Sequence, residues 1–214
     1  MPSADLNIPV ESHTHETLHG LLLHLRKTGY TEAALNYRFD ETPIRKCPPK
    51  TQHVPGLKIL TRATLVFASP KNTHSLAIAN KKNLSYDILA VEPKTQAALR
   101  HVCASGGVDI ITLCLDTREA PVRVDKAALR QAAQKNIRFE ITYASPVSSR
   151  EARIAFLKNT HLPLLLGLGK RLVFSSGAHT KEEIRHPSNL DILRVCAENT
   201  CTLAGGHRRG CRRL

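Results

Sequence analysis

What constrains this chain most is a rhythm. From Asp87 onward, short apolar runs rich in β-branched residues alternate with helix-period patterns, one run every roughly 20 to 35 residues. Ile88 to Glu92, Asp109 to Leu115, Arg138 to Ala144 and Leu172 to Ser176 read as strands, and their near-continuous apolar character suits strands covered on both faces. Between them, Thr95 is placed to cap a helix bearing Leu99, Val102 and Cys103, ended by Gly106 and Gly107. Asp125 caps a second helix with Leu129, Ala132 and Ala133, and Ser148 with Glu151 reads as the capping box of a third, with Ala152, Ala155 and Phe156 on its inner side. One strand per helix, repeated, is the pattern of β-α units around a parallel sheet.

The first third continues the pattern. Asp5 to Ile8 reads as a strand, and His15 to Thr28 as a helix whose stripe is Leu18, Leu21, Leu22 and Leu25, closed by Gly29. After Ala33 to Asn36 comes a loop containing Pro43, Pro48, Pro49 and Pro55, and then the strongest strand, Leu57 to Phe67. A last helix begins near Ser188, after Pro187. Open doubly wound sheets and closed barrels share this rhythm, but no glycine fingerprint follows the first strand, where Asn7, Ile8 and Pro9 stand, so a barrel is preferred. At 214 residues the expectation is one domain over 1–202, with a basic tail over 203–214 that holds Arg208, Arg209, Arg212 and Arg213 and no acid.

Charge narrows the partner. The chain has 31 Lys plus Arg against 18 Asp plus Glu, a formal charge of +13, which attracts polyanions and makes nucleic acid the leading partner class. No Trp and only 4% aromatic residues argue against a sheet paved with base-stacking rings. No apolar run is long enough to span a membrane and Met1 to Asp5 lacks the features of a signal peptide, so the expectation is a soluble intracellular protein with no membrane partner. The bases cluster: Arg62, Lys71, Lys81 and Lys82 fall in one stretch without an acid. Arg150, Arg153, Lys158, Lys170, Arg171 and Lys181 fall in another against Glu151 alone. Cys47, Cys103, Cys114, Cys196, Cys201 and Cys211 show no metal-finger spacing and read as buried thiols.

Sites for chemistry are sparse. His13 and His15 lie two apart after the first strand, as in the metal-dependent phosphoesterases of the PHP class, which add a later Asp-x-His. Here that later element is Gly177, Ala178 and His179, so the carboxylate is missing, and His13 and His15 fall several residues past the strand end. There is no Gly-x-Ser-x-Gly elbow and no Walker loop, and Gly167 to Lys170 reads as a turn. Glu140 stands out, because a carboxylate inside the apolar strand Arg138, Phe139, Glu140, Ile141 needs a partner if buried. Arg62, inside the Leu57 to Phe67 strand, is the candidate, either as a structural core pair or as the relic of a catalytic centre.

Several segments taken in order resemble one family, the PHP-like protein subunit of eukaryotic and archaeal ribonuclease P, shared in eukaryotes with ribonuclease MRP. They are Ala4 to Asn7, Gly29 and Tyr30 with Ala34 to Asn36, Lys58 to Thr64, Tyr86 to Pro93, Phe139 to Tyr143, and Ser175 and Ser176 leading to Ile184 to Pro187. The opening Asp5 to Pro9 is most like fungal members. The resemblance implies an α/β fold, a distorted TIM-like (β/α) barrel of PHP type without a complete metal site, with no cofactor and no catalytic residue of its own. It implies an RNA-binding scaffold of the ribonuclease P particle, in which the RNA subunit removes the 5′ leader from precursor tRNA. Its implied partners are ribonuclease P RNA, MRP RNA, precursor tRNA through the complex, and a small ferredoxin-like protein among other subunits, in the nucleus and nucleolus. A metal-dependent phosphoesterase using His13, His15 and His179 is the alternative.

By that resemblance Arg62 matches the family's basic strand position, Glu140 its strand carboxylate, and Ser175, Ser176 and Arg185 the segment that closes the barrel. Lys58, Arg62, Lys170, Arg171 and Arg185 are the candidate phosphate contacts. The chain departs from the family at His186, where Gly usually precedes Pro187. It also ends soon after Cys201, so the barrel is expected to be incomplete at its C-terminus.

Overall fold

The computed structural model describes residues 3–40, 48, 52–69, 85–118, 122–160 and 171–190. Seven strands form one sheet: β1 (Ala4–Pro9), β2 (Glu32–Asp40), β3 (Lys58–Phe67), β4 (Ile88–Pro93), β5 (Ile110–Leu113), β6 (Arg138–Thr142) and β7 (Leu172–Ser175). They pair in sequence order and every pairing is parallel. Among the described residues the helices that return the chain are α1 (His15–Lys27), α2 (Gln96–Ser105), α3 (Lys126–Gln134), α4 (Ala144–Ser148) and α5 (Arg150–Thr160), with a 3-10 turn at Lys181–Glu183. Strict sequential order is what a barrel requires and a doubly wound sheet forbids, because the latter reverses direction partway along its strand order.

The barrel nearly closes where β7 meets β1. There Ser176 N donates to Asp5 Oδ1 at 3.0 Å and Gly177 N donates to Asn7 O at 3.0 Å. Asp5 Oδ1 also accepts from Asn7 N at 3.2 Å. The carboxylate thus supplies acceptors that a regular strand ladder would otherwise provide at this seam.

Local chemistry explains the helices. Thr14, Thr95 and Asp125 each cap with a side-chain oxygen that accepts from the backbone N–H three residues on. Gly29 sits at φ 102°, the left-handed geometry that ends α1 without a Cβ clash. The third cap differs from the expectation: Ser148 is the last residue of α4, and it is Ser149 Oγ that accepts from Ala152 N at 3.3 Å and bonds Glu151 at 3.1 Å. The run Arg138 to Ala144 is likewise shorter as a strand, because the chain turns into α4 at Ala144. β2 is longer than Ala33 to Asn36, since alternation through Tyr37 and Phe39 keeps it paired with β3 over nine residues.

Alternation sorts the side chains into two layers. Outward-facing Ala63, Leu65, Phe67, Leu89, Val91, Ile111, Leu113, Phe139 and Ile141 pack with Leu99, Val102 and Ala128 of α2 and α3 in one apolar cluster. A second cluster joins Ile8 and Leu35 to Leu18, Leu21, Leu22 and Leu25 of α1. At about 1.5 to 3 kcal/mol per buried aliphatic side chain, these layers carry most of the fold's favourable energy. Inward positions are instead polar: Asn7, Asn36, Arg62, Thr64, Glu92, Thr112 and Glu140 are all buried.

From β7 the chain passes His179 near His13, brings Lys181 against Gly20 and His186 against Gly29, and so runs as a strap along α1. Tyr30 Oη donates to Arg185 O at 2.9 Å and lies 3.3 Å from Tyr143 Oη, pinning the strap. Residues 187–190 are helical, as Pro187 and Ser188 suggested; the proposed tail lies outside the described residues.

Candidate functional site

At the barrel's centre a guanidinium on β3 meets a carboxylate on β6. Arg62 Nη1 lies 2.5 Å from Glu140 Oε1 and Nη2 lies 2.7 Å from Oε2, a two-pronged contact in which neither side chain is exposed. The remaining Arg62 donors reach Thr64 Oγ1 at 3.0 Å, Leu6 O at 2.7 Å and Thr112 Oγ1 at 2.8 Å. Thr64 Oγ1 donates to Asn36 Oδ1 at 2.7 Å, Asn36 Nδ2 to Asn7 Oδ1 at 2.8 Å, and Asn7 Nδ2 to Glu140 Oε2 at 3.3 Å. The circuit therefore closes on itself through strands β1, β2, β3 and β6. Burial pushes the Glu140 carboxyl up, but Arg62 and its hydrogen bonds outweigh that and hold it below the usual carboxylate range.

A second cluster lies nearer the mouth. Glu92 at the end of β4 takes Arg38 Nη1 at 2.5 Å, Lys94 Nζ, and Cys114 Sγ at 2.9 Å. Burial works against the Glu92 charge, yet the Cys114 hydrogen bond, Lys94 and Arg38 keep its carboxyl low. Burial and then the Glu92 charge push the Cys114 thiol up to about 12. At the seam, burial raises Asp5 to about 6 despite its bonds from Ser176 and Asn7.

Above these clusters, at the C-terminal ends of the strands, opens a cavity of about 560 Å³. Its floor includes Asn7, Asn36, Arg62, Thr64 and Thr112, and its walls include Glu11, Arg38, Glu92, Asp116, Ser145, Ser148, His179 and Glu183. This is the end of a parallel barrel where active sites are built.

The expected core pair Arg62 and Glu140 is present as read. Arg62, also read as a phosphate contact, has a wholly buried side chain at the cavity floor, with all its donors engaged inside the barrel. Lys58 is exposed at the start of β3 and pairs with Glu32 at 2.9 Å. Arg171 is half-buried just ahead of β7, and Arg185 is exposed on the strap, its guanidinium 3.4 Å from Glu182 O. Lys170 lies outside the described residues, as do Lys71, Lys81 and Lys82 and the turn at Gly167.

The histidines do not form a ligand set. His13 is half-buried ahead of the α1 cap, where burial lowers its pKa; His15 is exposed as the first residue of α1, and His179 is exposed beyond β7. Among the described residues no three His, Cys, Asp or Glu side chains are grouped so as to hold a metal ion. At the strand ends the amide oxygens of Asn7 and Asn36 already accept hydrogen bonds and the Arg62 guanidinium lies beside them, so a cation there would meet engaged oxygens and a like charge. Seam residues Asp5 and Asn7, the Arg38, Glu92 and Lys94 cluster, and the Tyr30 to Tyr143 contact were not singled out from the sequence as site residues. Their sequence signals were a polar residue inside or beside an apolar run and, for Asp5, Asn7, Tyr30, Glu92 and Tyr143, a place in the segments that carry the family resemblance.

Fold and site together define a parallel α/β barrel whose centre is a buried ion pair. The sequence profile of the family described as RNase P subunit p30 matches residues 2–198, and the chain belongs to that family of ribonuclease P subunits. It is 27% identical over 213 residues to the ribonuclease P protein subunit p30 of Mus musculus, covering 92% of this chain and 79% of the relative. Among solved structures, a chain of archaeal ribonuclease P with mature tRNA superposes with a TM-score of 0.62 at 15% identity, covering 94% of this chain and 88% of that one. The histidinol phosphate phosphatase of Lactococcus lactis superposes at 0.56 with 11% identity, covering 96% and 94%. At such identities these two likenesses speak for the fold alone.

Proposed function

We propose that this chain acts in ribonuclease P as an RNA-binding scaffold, supporting removal of the 5′ leader from precursor tRNA while the RNA subunit performs the chemistry. The observation that carries this reading is the Arg62 and Glu140 pair with its closed circuit of amides and hydroxyls, which fills the place where a barrel of this type would otherwise assemble a reaction centre. The +13 charge supports a polyanionic partner. The solved archaeal relative is described with mature tRNA, which agrees with a role beside an RNA. By family resemblance the particle adds a small ferredoxin-like protein, its counterpart with MRP RNA uses the same subunit, and both work in the nucleus and nucleolus. Lys58, Arg171 and Arg185 are the accessible phosphate contacts of this reading.

Depleting the protein in its own cell should leave precursor tRNAs with their 5′ leaders. A His13→Ala, His15→Ala, His179→Ala variant should restore processing as well as the unaltered chain. Failure of that triple variant to restore processing, with the protein present at normal level, would transfer support to the metal-dependent phosphoesterase alternative.

A further inference from the structure

The charged side chains are divided unequally between the two ends of the barrel. Because every strand runs the same way, the strand starts and the helix C-termini share one face, opposite the mouth. Arg26 and Lys27 stand there at the end of α1, Lys58 at the start of β3, Lys135 and Arg138 in the turn from α3 to β6, and Arg171 ahead of β7. All are exposed except Arg171, which is half-buried. Arg185 joins them, since its carbonyl is held by Tyr30 from the turn between α1 and β2.

The acids on this face are already occupied. Glu32 pairs with Lys58 at 2.9 Å. Asp87 accepts from Thr61 N at 2.7 Å and from its hydroxyl at 2.8 Å, and Asp109 accepts from Leu89 N at 2.9 Å. A depression of about 400 Å³ lies here between the starts of β4, β5 and β6, with Lys135, Asn136 and Arg138 along one side and Asp87 and Asp109 along another. The mouth end is mixed, with exposed Arg118, Arg123 and Lys126 beside carboxylates that stand open. Glu11, Asp116 and Glu183 line it and form no ion pair among the described residues, while Arg38 and Lys94 are both engaged by Glu92.

Bases at helix C-termini also offset the negative end of the helix dipole, which accounts for Arg26, Lys27 and Lys135. That does not account for Lys58, Arg138 and Arg171, which precede strands. We propose that the face formed by the strand starts is the RNA-binding surface of this barrel, centred on Lys135, Arg138 and Arg171, and that the mouth points away from the nucleic acid. The proposal rests on the RNA-binding reading above and adds to it the face. Phosphates need accessible bases: on this face the neighbouring acids are already bonded, whereas at the mouth the bases share their end of the barrel with the carboxylates of Glu11, Asp116 and Glu183.

The test compares two variants of the full chain with equal charge loss, binding in vitro transcribed ribonuclease P RNA across a series of KCl concentrations. One carries Lys135→Gln, Arg138→Gln and Arg171→Gln; the other carries Arg118→Gln, Arg123→Gln and Lys126→Gln, exposed residues at the mouth end. The first should bind roughly ten- to a hundredfold more weakly, with a log-log salt slope shallower by about 2, since each phosphate left without its cation lowers the slope by about 0.7 to 0.9. The second should stay within about threefold of the unaltered chain, and equal thermal midpoints establish that both fold. Should the first triple unfold, the single Lys135→Gln change should still shift the slope by up to about 0.9. Equal or larger weakening in the mouth-end triple overturns the face assignment and leaves the RNA reading standing. Salt-independent or absent binding by the unaltered chain overturns both.

Discussion

Arg62 on β3 and Glu140 on β6, seventy-eight residues apart in sequence, meet inside the barrel through two N···O contacts of 2.5 and 2.7 Å with neither side chain exposed. Such a pair is weak evidence for stability in itself, because desolvating two ions offsets much of their attraction. Its consequence is asymmetric: either member alone is far worse than both or neither.

Arg62→Met should therefore cost roughly 3 to 5 kcal/mol, by leaving Glu140 charged, buried and without its cation. Adding Glu140→Leu should recover most of that loss. Urea unfolding of the single and double variants reads the difference. A double variant as unstable as Arg62→Met would show that the circuit with Thr64, Asn36 and Asn7, rather than the charge pair, is what matters.

Asp5 gives stability an unusual pH dependence. Its pKa is about 6 in the folded chain against 3.8 for the free side chain, so the fold favours the protonated form. A raised acid binds more protons folded than unfolded, and its burial penalty, complete above pH 6, is relieved as pH falls towards 4. Glu92 and Glu140 are held low and contribute in the opposite sense, their stabilisation being lost only below about the ordinary carboxylate range. Between pH 7 and 5 the unaltered chain should gain stability relative to Asp5→Asn, by an amount on the order of 1 kcal/mol. Parallel stability curves for the two proteins over that range would contradict the assignment.

Tyr30 holds the strap in place. Its hydroxyl donates to Arg185 O, and Arg185 N donates to Tyr143 Oη at 3.4 Å; burial pushes Tyr143 up to about 12, so the phenols stay neutral at working pH. Tyr30→Phe should cost about 1 kcal/mol and speed trypsin cleavage after Lys181 and Arg185. Unchanged cleavage at both sites would mean that packing against α1, not the hydroxyl, secures the segment.

His13 and His179 come near each other, with no group of three ligands gathered there among the described residues. Manganese or zinc should leave the thermal midpoint of the purified chain unchanged, and metal analysis should find no stoichiometric ion. A midpoint raised by metal and insensitive to metal in His179→Ala would reinstate a metal site.

Much of the fold was readable because parallel strands covered on both faces announce themselves as apolar runs, and because Thr95 and Asp125 are unambiguous caps. The core pair was readable for a related reason: a carboxylate inside Phe139, Glu140, Ile141 has few tolerable environments, and Arg62 was the cation inside a comparable strand. Arg62 was read in two roles, and its buried side chain stands in the core pair. The seam was harder to see. Asp5 and Asn7 look like ordinary strand-edge polar residues until β7 arrives beside them from the far end of the sheet, and no local pattern encodes that meeting. Ser148 and Ser149 are likewise equivalent as cap candidates until the length of α4 is known. The face on which the bases gather depends on the direction of every strand, which composition does not carry.

The central claim is that this barrel works on an RNA rather than on a small phosphoester. Purifying a tagged copy from its own cells and sequencing the RNA that comes with it tests this most directly. Recovery of one abundant structured RNA together with ribonuclease P activity on precursor tRNA is the predicted result. Purification of a chain free of RNA and of companion subunits, yet able to hydrolyse a phosphoester, would contradict it.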